Sequence, residues 1–256
     1  MENILEISGI CKSYGSLSVL KNLFFSVGQG EIFAIIGPNG AGKTTLFKAM
    51  TGESLANAGR IVYAGEDVTS KQAAYRVAKG MARTFQVARV FRDFTVLENI
   101  VVTIESRRRT AGETPGGFFS IRPSEEILVE ANALIDEIGL ANVREKSASL
   151  LSHGDKKRLE FLVALALRPK ILMLDEPTAG MSPTDRAKIA RLIKDVQKKG
   201  GITIVMTEHD MDIVFGLADR VMVLNYGELI AVGTVAEIRA NAAVADVYLG
   251  KEMYSA

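Results

Sequence analysis

Gly37-Pro38-Asn39-Gly40-Ala41-Gly42-Lys43-Thr44 fits G-x-x-x-x-G-K-[ST] at every fixed position. Those residue types suit a phosphate chain. Glycines let the backbone curl until successive N–H groups point at one anion. A helix opening at Thr44-Thr45 adds the positive end of its dipole. Lys43 brings a full charge to the β- and γ-phosphates, and the Thr44 hydroxyl is a ligand type for Mg2+. A second group is Asp175-Glu176, which closes the apolar run Ile171-Leu172-Met173-Leu174. Asp175 can hold Mg2+ directly or through water. Glu176, with no strong cation beside it in sequence, is the candidate to polarise an attacking water. Alone, the first group is also a glycine-rich bend, and the second two acids capping the turn before Pro177. Together they point to nucleotide chemistry.

Such groups need strands that end where the ligand sits. Glu31–Ile36 reads as a buried strand running into Gly37, and Thr45–Met50 as the start of a helix. Ile171–Leu174, Gly201–Met206 and Val221–Leu224 read as three more buried strands, the last closed by a hairpin turn at Asn225-Tyr226-Gly227. Alternation of such runs with amphipathic helical patterns predicts an α/β fold. Ile4–Ile10, Val19–Val27 and a hairpin over Arg60–Val68 predict a small antiparallel sheet beside that core. In the middle, Thr95–Ser106 and Ser124–Ile138 read as helices. Ser124 is placed to cap the second, and Gly139 to stop it. Arg107–Pro123, with its arginine triplet, reads as a solvated loop. The simplest account is a helical insertion over residues 91–151.

Composition narrows the classes. The chain has 256 residues, 31 Lys plus Arg against 30 Asp plus Glu, 48% apolar residues and one cysteine. Disorder is excluded, and an intrachain disulfide is impossible. The longest apolar run, Phe161–Leu167, falls far short of the about 20 residues that span a bilayer. Met1–Lys12 lacks the pattern of a signal peptide, so none is expected. A net charge of +1 gives no electrostatic reason to expect nucleic acid as a partner.

The segment that discriminates among phosphate-loop proteins is Leu151-Ser152-His153-Gly154-Asp155, which opens a helix between the two nucleotide motifs. Here the sequence resembles the ATP-binding cassette (ABC) ATPases, whose signature is L-S-G-G-Q. The resemblance spans essentially the whole chain, with motifs in family order. It implies a phosphate-loop NTPase (RecA-like) core over residues 1–256 with an antiparallel β-subdomain and an α-helical insertion. It implies that Gly37, Pro38, Asn39, Gly40, Ala41, Gly42, Lys43, Thr44 and Thr45 bind ATP, with Tyr14 stacked on adenine. Ser152 and Gly154 would meet the γ-phosphate held by a second ATPase subunit. Thr44, Gln86 and Asp175 would serve Mg2+, and Glu176, His209 and Gln86 hydrolysis. His153, Asp155 and Ser182 depart from the family pattern around the cross-subunit site. L-S-H-G-D, Glu208-His209-Asp210-Met211 and the tail from Glu237-Ile238-Arg239 to Val247-Tyr248-Leu249-Gly250 are similar to the ATPases of branched-chain amino-acid importers, with urea and amide importers close by. In that tail Ala243, Val247 and Leu249 are the candidates to dock a final helix.

The implied partners are transmembrane permease subunits and a second ATPase subunit, identical or paralogous, at the cytoplasmic face of the membrane. Coupling is expected near Gln86 and Arg89–Phe94, where Val90, Phe91 and Phe94 offer apolar surface. A nucleic-acid or ribosome ATPase of the same superfamily is the alternative. The spacing of about 130 residues from Lys43 to Asp175, without heptads, argues against it. A guanine-reading Asn-Lys-x-Asp stretch is absent.

Overall fold

The structure, a computed structural model, describes residues 2–84, 90–113 and 123–248. Gln86, Arg89, Leu249 and Gly250 lie outside the described residues. In chain order the elements are β1 Asn3–Tyr14, β2 Leu17–Gly28, β3 Ile32–Ile36, α1 Lys43–Thr51, β4 Ala58–Tyr63, β5 Glu66–Asp67, α2 Ala73–Ala78 and β6 Met81–Arg83. There follow α3 Val96–Thr110, α4 Glu125–Glu137, α5 His153–Ala166, β7 Ile171–Asp175, α6 Pro183–Gly200, β8 Thr203–Thr207, α7 Met211–Leu217, β9 Arg220–Asn225, β10 Glu228–Thr234, α8 Val235–Arg239 and α9 Ala242–Tyr248.

Two sheets form. The first is antiparallel, in the order β2-β1-β4-β5. The second runs β10-β9-β3-β8-β7-β6; it is parallel except for the β9–β10 hairpin. Its central strands alternate between two cores. Ile32, Ala34 and Ile36 of β3 face the helices of the middle of the chain, while Phe33 and Ile35 face α1 and the antiparallel sheet. Leu172 and Leu174 against Ile171 and Met173 repeat the division in β7. Both faces being covered, the strands read as unbroken apolar runs. The five parallel strands, β9, β3, β8, β7 and β6, all end at the same edge, which is where the phosphate run and the acid pair emerge.

Several local expectations shift. The strand expected at 201–206 begins at Thr203, because Gly201, at φ 59°, is still the C-cap of α6. The hairpin turn forms as expected: Asn225 pairs with Glu228, and Tyr226 and Gly227 both take positive φ. The arginine triplet belongs to the last turn of α3 rather than to a loop. Arg107 makes two parallel bonds to Glu130, at 2.8 and 2.9 Å, and donates to the Ala166 carbonyl; Arg108 reaches Glu126. Positive charge also suits a helix C-terminus. Ser124 sits at the N-cap of α4 but makes no capping bond, and its buried hydroxyl has no partner among the described residues. The final helix is seated by Val244, 1% exposed, while Ala243 faces solvent.

Candidate functional site

The 37–44 loop is shaped by what surrounds it. A Cβ at Gly37 would lie 2.1 Å from the Leu224 carbonyl oxygen, so only glycine lets β3 turn there against β9. Gly42 is the N-cap of α1 at φ 105°, with the Val19 carbonyl 3.1 Å from where its Cβ would be. The tip of the β9–β10 hairpin is fastened to the loop by the Gly227 N–H, which donates to the Ala41 carbonyl. Lys43 curls back over its own loop. Its Nζ donates to the Gly37 carbonyl at 2.6 Å and the Pro38 carbonyl at 3.1 Å. Burial lowers the Lys43 pKa, and the carboxylates of Glu176 and Asp175 partly oppose that. The ammonium thus stands where an anion with several acceptor oxygens could replace two loop carbonyls.

The acid pair extends from β7. Asp175 is 3% exposed, and both its oxygens are engaged: Oδ1 accepts from the Thr207 hydroxyl and Oδ2 pairs with Arg83, each at 2.8 Å. Arg83 also pairs with Glu53 just past α1. Glu176 stands in a left-handed backbone conformation, φ 49°, which costs a non-glycine residue on the order of 1 kcal/mol. Its N–H donates to the Thr207 carbonyl and hydroxyl, both at 3.1 Å. His209 Nε2 lies 2.9 Å from Glu176 Oε1. The imidazole and the carboxylate come from adjacent strands and meet directly at the strand ends, a base and a hydrogen-bonding ring placed side by side.

Other predicted residues lie further out. Tyr14 sits near the β1–β2 tip, 49% exposed, with Lys12 Nζ 5.3 Å from its ring centre. Ser152 caps α5: its hydroxyl accepts from Asp155 N–H at 3.1 Å and donates to Asp155 Oδ2 at 2.8 Å. Ser182 caps α6 in the same way through Asp185, whose carboxyl it holds below its ordinary pKa. No hydrogen bond or ion pair among the described residues joins Ser152 or Gly154 to the 37–44 loop. Gly154 and His153 instead lie beside the 180–185 segment: a Cβ on Gly154 would be 3.7 Å from Asp185, and His153 Nε2 is 3.5 Å from where a Gly180 Cβ would stand. Phe91 and Phe94 stack at 5.2 Å and remain exposed, so they are not local core. A cavity of about 430 Å³ between Arg158 and Arg191 contains none of these residues.

Sequence reasoning missed Arg83 and Thr207. Arg83 lies 92 residues from the carboxylate it pairs with, beyond any local signal. Thr207, a hydroxyl at a strand end directly before Glu208-His209, offered one. For a metal, the hydroxyl of Thr44 and the carboxylate of Asp175 are hard oxygen donors of the kind Mg2+ takes. No group of three or more His, Cys, Asp or Glu among the described residues could hold a metal by itself. Mg2+ here fits as an ion carried in with phosphates.

Comparison with known proteins agrees with this geometry. The family described as ABC transporter matches residues 20–179, and the one described as branched-chain amino acid ATP-binding cassette transporter matches residues 228–254. The high-affinity branched-chain amino acid transport ATP-binding protein LivG of Salmonella typhimurium is 36% identical over 97% of this chain and 98% of its own. BraF of Pseudomonas aeruginosa, of the same description, is 34% identical with the same coverage. The crystal structure of the ADP conformation of an ABC-transporter cassette covers 98% of this chain and 100% of its own, at 31% identity and TM-score 0.84.

Proposed function

The chain belongs to the ATP-binding cassette ATPases of ABC transporters, and on that premise we propose that it powers import of branched-chain amino acids or closely related small solutes. The observation that carries the solute class is the C-terminal match over 228–254, in a chain that aligns end to end with LivG and BraF.

In this reading residues 1–256 are one nucleotide-binding domain, and 91–151 its helical arm. Gly37 to Thr45 cradle the phosphates, and Lys43 exchanges the Gly37 and Pro38 carbonyls for β- and γ-phosphate oxygens. Tyr14 stacks on the adenine. Mg2+, held by Thr44, Asp175 and Gln86, would neutralise phosphate charge as it develops. Glu176 takes a proton from the attacking water while His209 orients it, and water attacks in line. Ser152 and Gly154 face the γ-phosphate held by a second ATPase subunit. Phe91 and Phe94 dock a permease subunit at the cytoplasmic face of the membrane. No helix among the described residues is long and apolar enough to cross it.

The test is uptake. In cells whose copy of this gene is deleted, uptake of labelled leucine, isoleucine and valine is lost. The wild-type chain restores it and Glu176→Gln does not. Unchanged leucine uptake with lost urea or amide uptake would reassign the solute.

A further inference from the structure

The strands carrying Glu176 and His209 stay tied together past the end of their backbone pairing. Asp175 and Thr207 form the last parallel pair of β7 and β8. Beyond it a side chain takes over. Glu208 Oε1 accepts the Thr178 N–H at 2.9 Å and the Thr178 hydroxyl at 2.6 Å, and its Oε2 accepts the His209 N–H at 3.1 Å. Glu208 is 3% exposed and Thr178 2%. A carboxylate is tolerated at such depth only when its oxygens are satisfied, and these three donors satisfy them. The other neighbour of His209 is tied to the same stretch: Asp210 pairs with Arg186 at 2.5 Å, and Arg186 Nε donates to the Met181 carbonyl at 3.2 Å. His209 is therefore flanked by two acids, each fastened to the 178–186 segment.

We propose that Glu208 is a positioning residue for hydrolysis: by locking the His209 backbone to Thr178, it sets the contact between His209 and Glu176. The proposal rests on the roles proposed above for those two residues. Glu176 holds a strained left-handed backbone, and such a conformation persists only when its surroundings over-determine it. Thr207 holds it from one side, and the Glu208–Thr178 bonds hold the turn two residues on. The bracket touches neither the 37–44 loop nor Tyr14, so its loss acts on turnover and leaves ATP binding in place. The start of α5 lies against the same segment, Gly154 beside Asp185 and His153 beside Gly180.

The experiment uses the purified full chain, with steady-state MgATP hydrolysis, equilibrium ATP titration and thermal melting measured for each variant. Thr178→Val removes the hydroxyl donor and keeps the shape. It should lower kcat about tenfold, with KM and ATP affinity within about twofold. Thr178→Ser returns the donor and should bring kcat back to within about threefold of the parent. Glu208→Ala should lower kcat further, and Glu208→Ala with Thr178→Val should be no worse than Glu208→Ala alone, because both remove one contact. Glu176→Gln is the reference. If it keeps parental turnover, the proposed roles fall and this inference with them. If Glu176→Gln is inactive while Thr178→Val and Glu208→Ala turn over like the parent, the positioning role alone is refuted. It is equally refuted if kcat and affinity fall in parallel, or if the two losses multiply.

Discussion

Replacing Arg76 with methionine should destabilise the protein by about 3 kcal/mol while leaving the phosphate site able to bind ATP. Arg76 is fully buried, and its guanidinium donates to four backbone carbonyls: Lys71, Ala49, Met50 and Val68. Two of these lie at the C-terminal end of α1, the helix that opens at Lys43, so the cation also meets the negative end of that helix dipole. Methionine fills much of the same volume, and what changes is the donors. The Ala49 and Val68 carbonyls keep a backbone N–H, from Gly52 and Lys71; the Met50 and Lys71 carbonyls take theirs from Arg76. At roughly 1–3 kcal/mol for each orphaned carbonyl and about 1 kcal/mol for each weakened one, the four cost about 4–8 kcal/mol together.

Against that stands the relief of no longer burying a charge. Burial pulls the Arg76 pKa from 12.5 down to about 10. At about 1.4 kcal/mol per pH unit, that relief is on the order of 3 kcal/mol. The orphaned carbonyls win, leaving the net loss near 3 kcal/mol. For a chain of this size that is a fall in Tm of about 6–12 °C. Arg76→Lys should fare no better, because it keeps the buried charge and forfeits the planar fork that reaches four acceptors. The assay is thermal or urea unfolding, with ATP titration well below Tm. A loss under about 1 kcal/mol, or any gain, would mean that other donors reach those carbonyls and that the accounting is wrong.

Glu176→Gln should keep ATP binding and cut turnover by about 100-fold or more, measured as phosphate release; wild-type turnover would withdraw the water-activating role. Lys43→Ala should weaken ATP binding by about 1.5–3 kcal/mol in an equilibrium titration. The parent's affinity should also depend on pH. Lys43 titrates below its ordinary 10.5 in the free protein, and bound phosphates raise it again, so binding takes up a proton in that alkaline window. Affinity should fall as pH rises through the depressed value, and Lys43→Ala should lose that dependence. Ser152→Arg should leave monomer affinity within about threefold, at about 1 kcal/mol of stability for the lost helix cap, and abolish activity of the assembled transporter; equal loss of both would reduce the segment to a helix start.

The core was legible because its strands are covered on both faces. Ile32–Ile36 and Ile171–Leu174 are apolar at every position, and no amphipathic helix looks like that in so short a run. The turn at Tyr226-Gly227 was legible because positive φ at consecutive positions selects few residue pairs. The arginine triplet was not. Three adjacent charges look solvated unless their partners are in view, and Glu126, Glu130 and the Ala166 carbonyl lie 18, 23 and 59 residues away. Ser124 misled for the opposite reason: the right residue at the right position makes no capping bond.

The same distinction divides the site. The phosphate run is a contiguous motif because a backbone loop must make it, and a loop is written in consecutive residues. The support for the acid pair is not contiguous. Arg83 on Asp175, Thr207 on Asp175 and Glu176, and Glu208 on Thr178 all join residues 30 or more positions apart. They come together because parallel strands deliver their ends to one edge, a property of strand order that no single strand records. A strained Glu176 needs that edge more than any other residue does, since a left-handed glutamate relaxes wherever its neighbours allow it. In a chain of this topology, the residues that hold such a strained acid belong to the strands adjoining its own, at the last backbone pair or one position past it. Thr207 and Glu208 occupy those positions on β8, and Arg83 closes β6 on the other side.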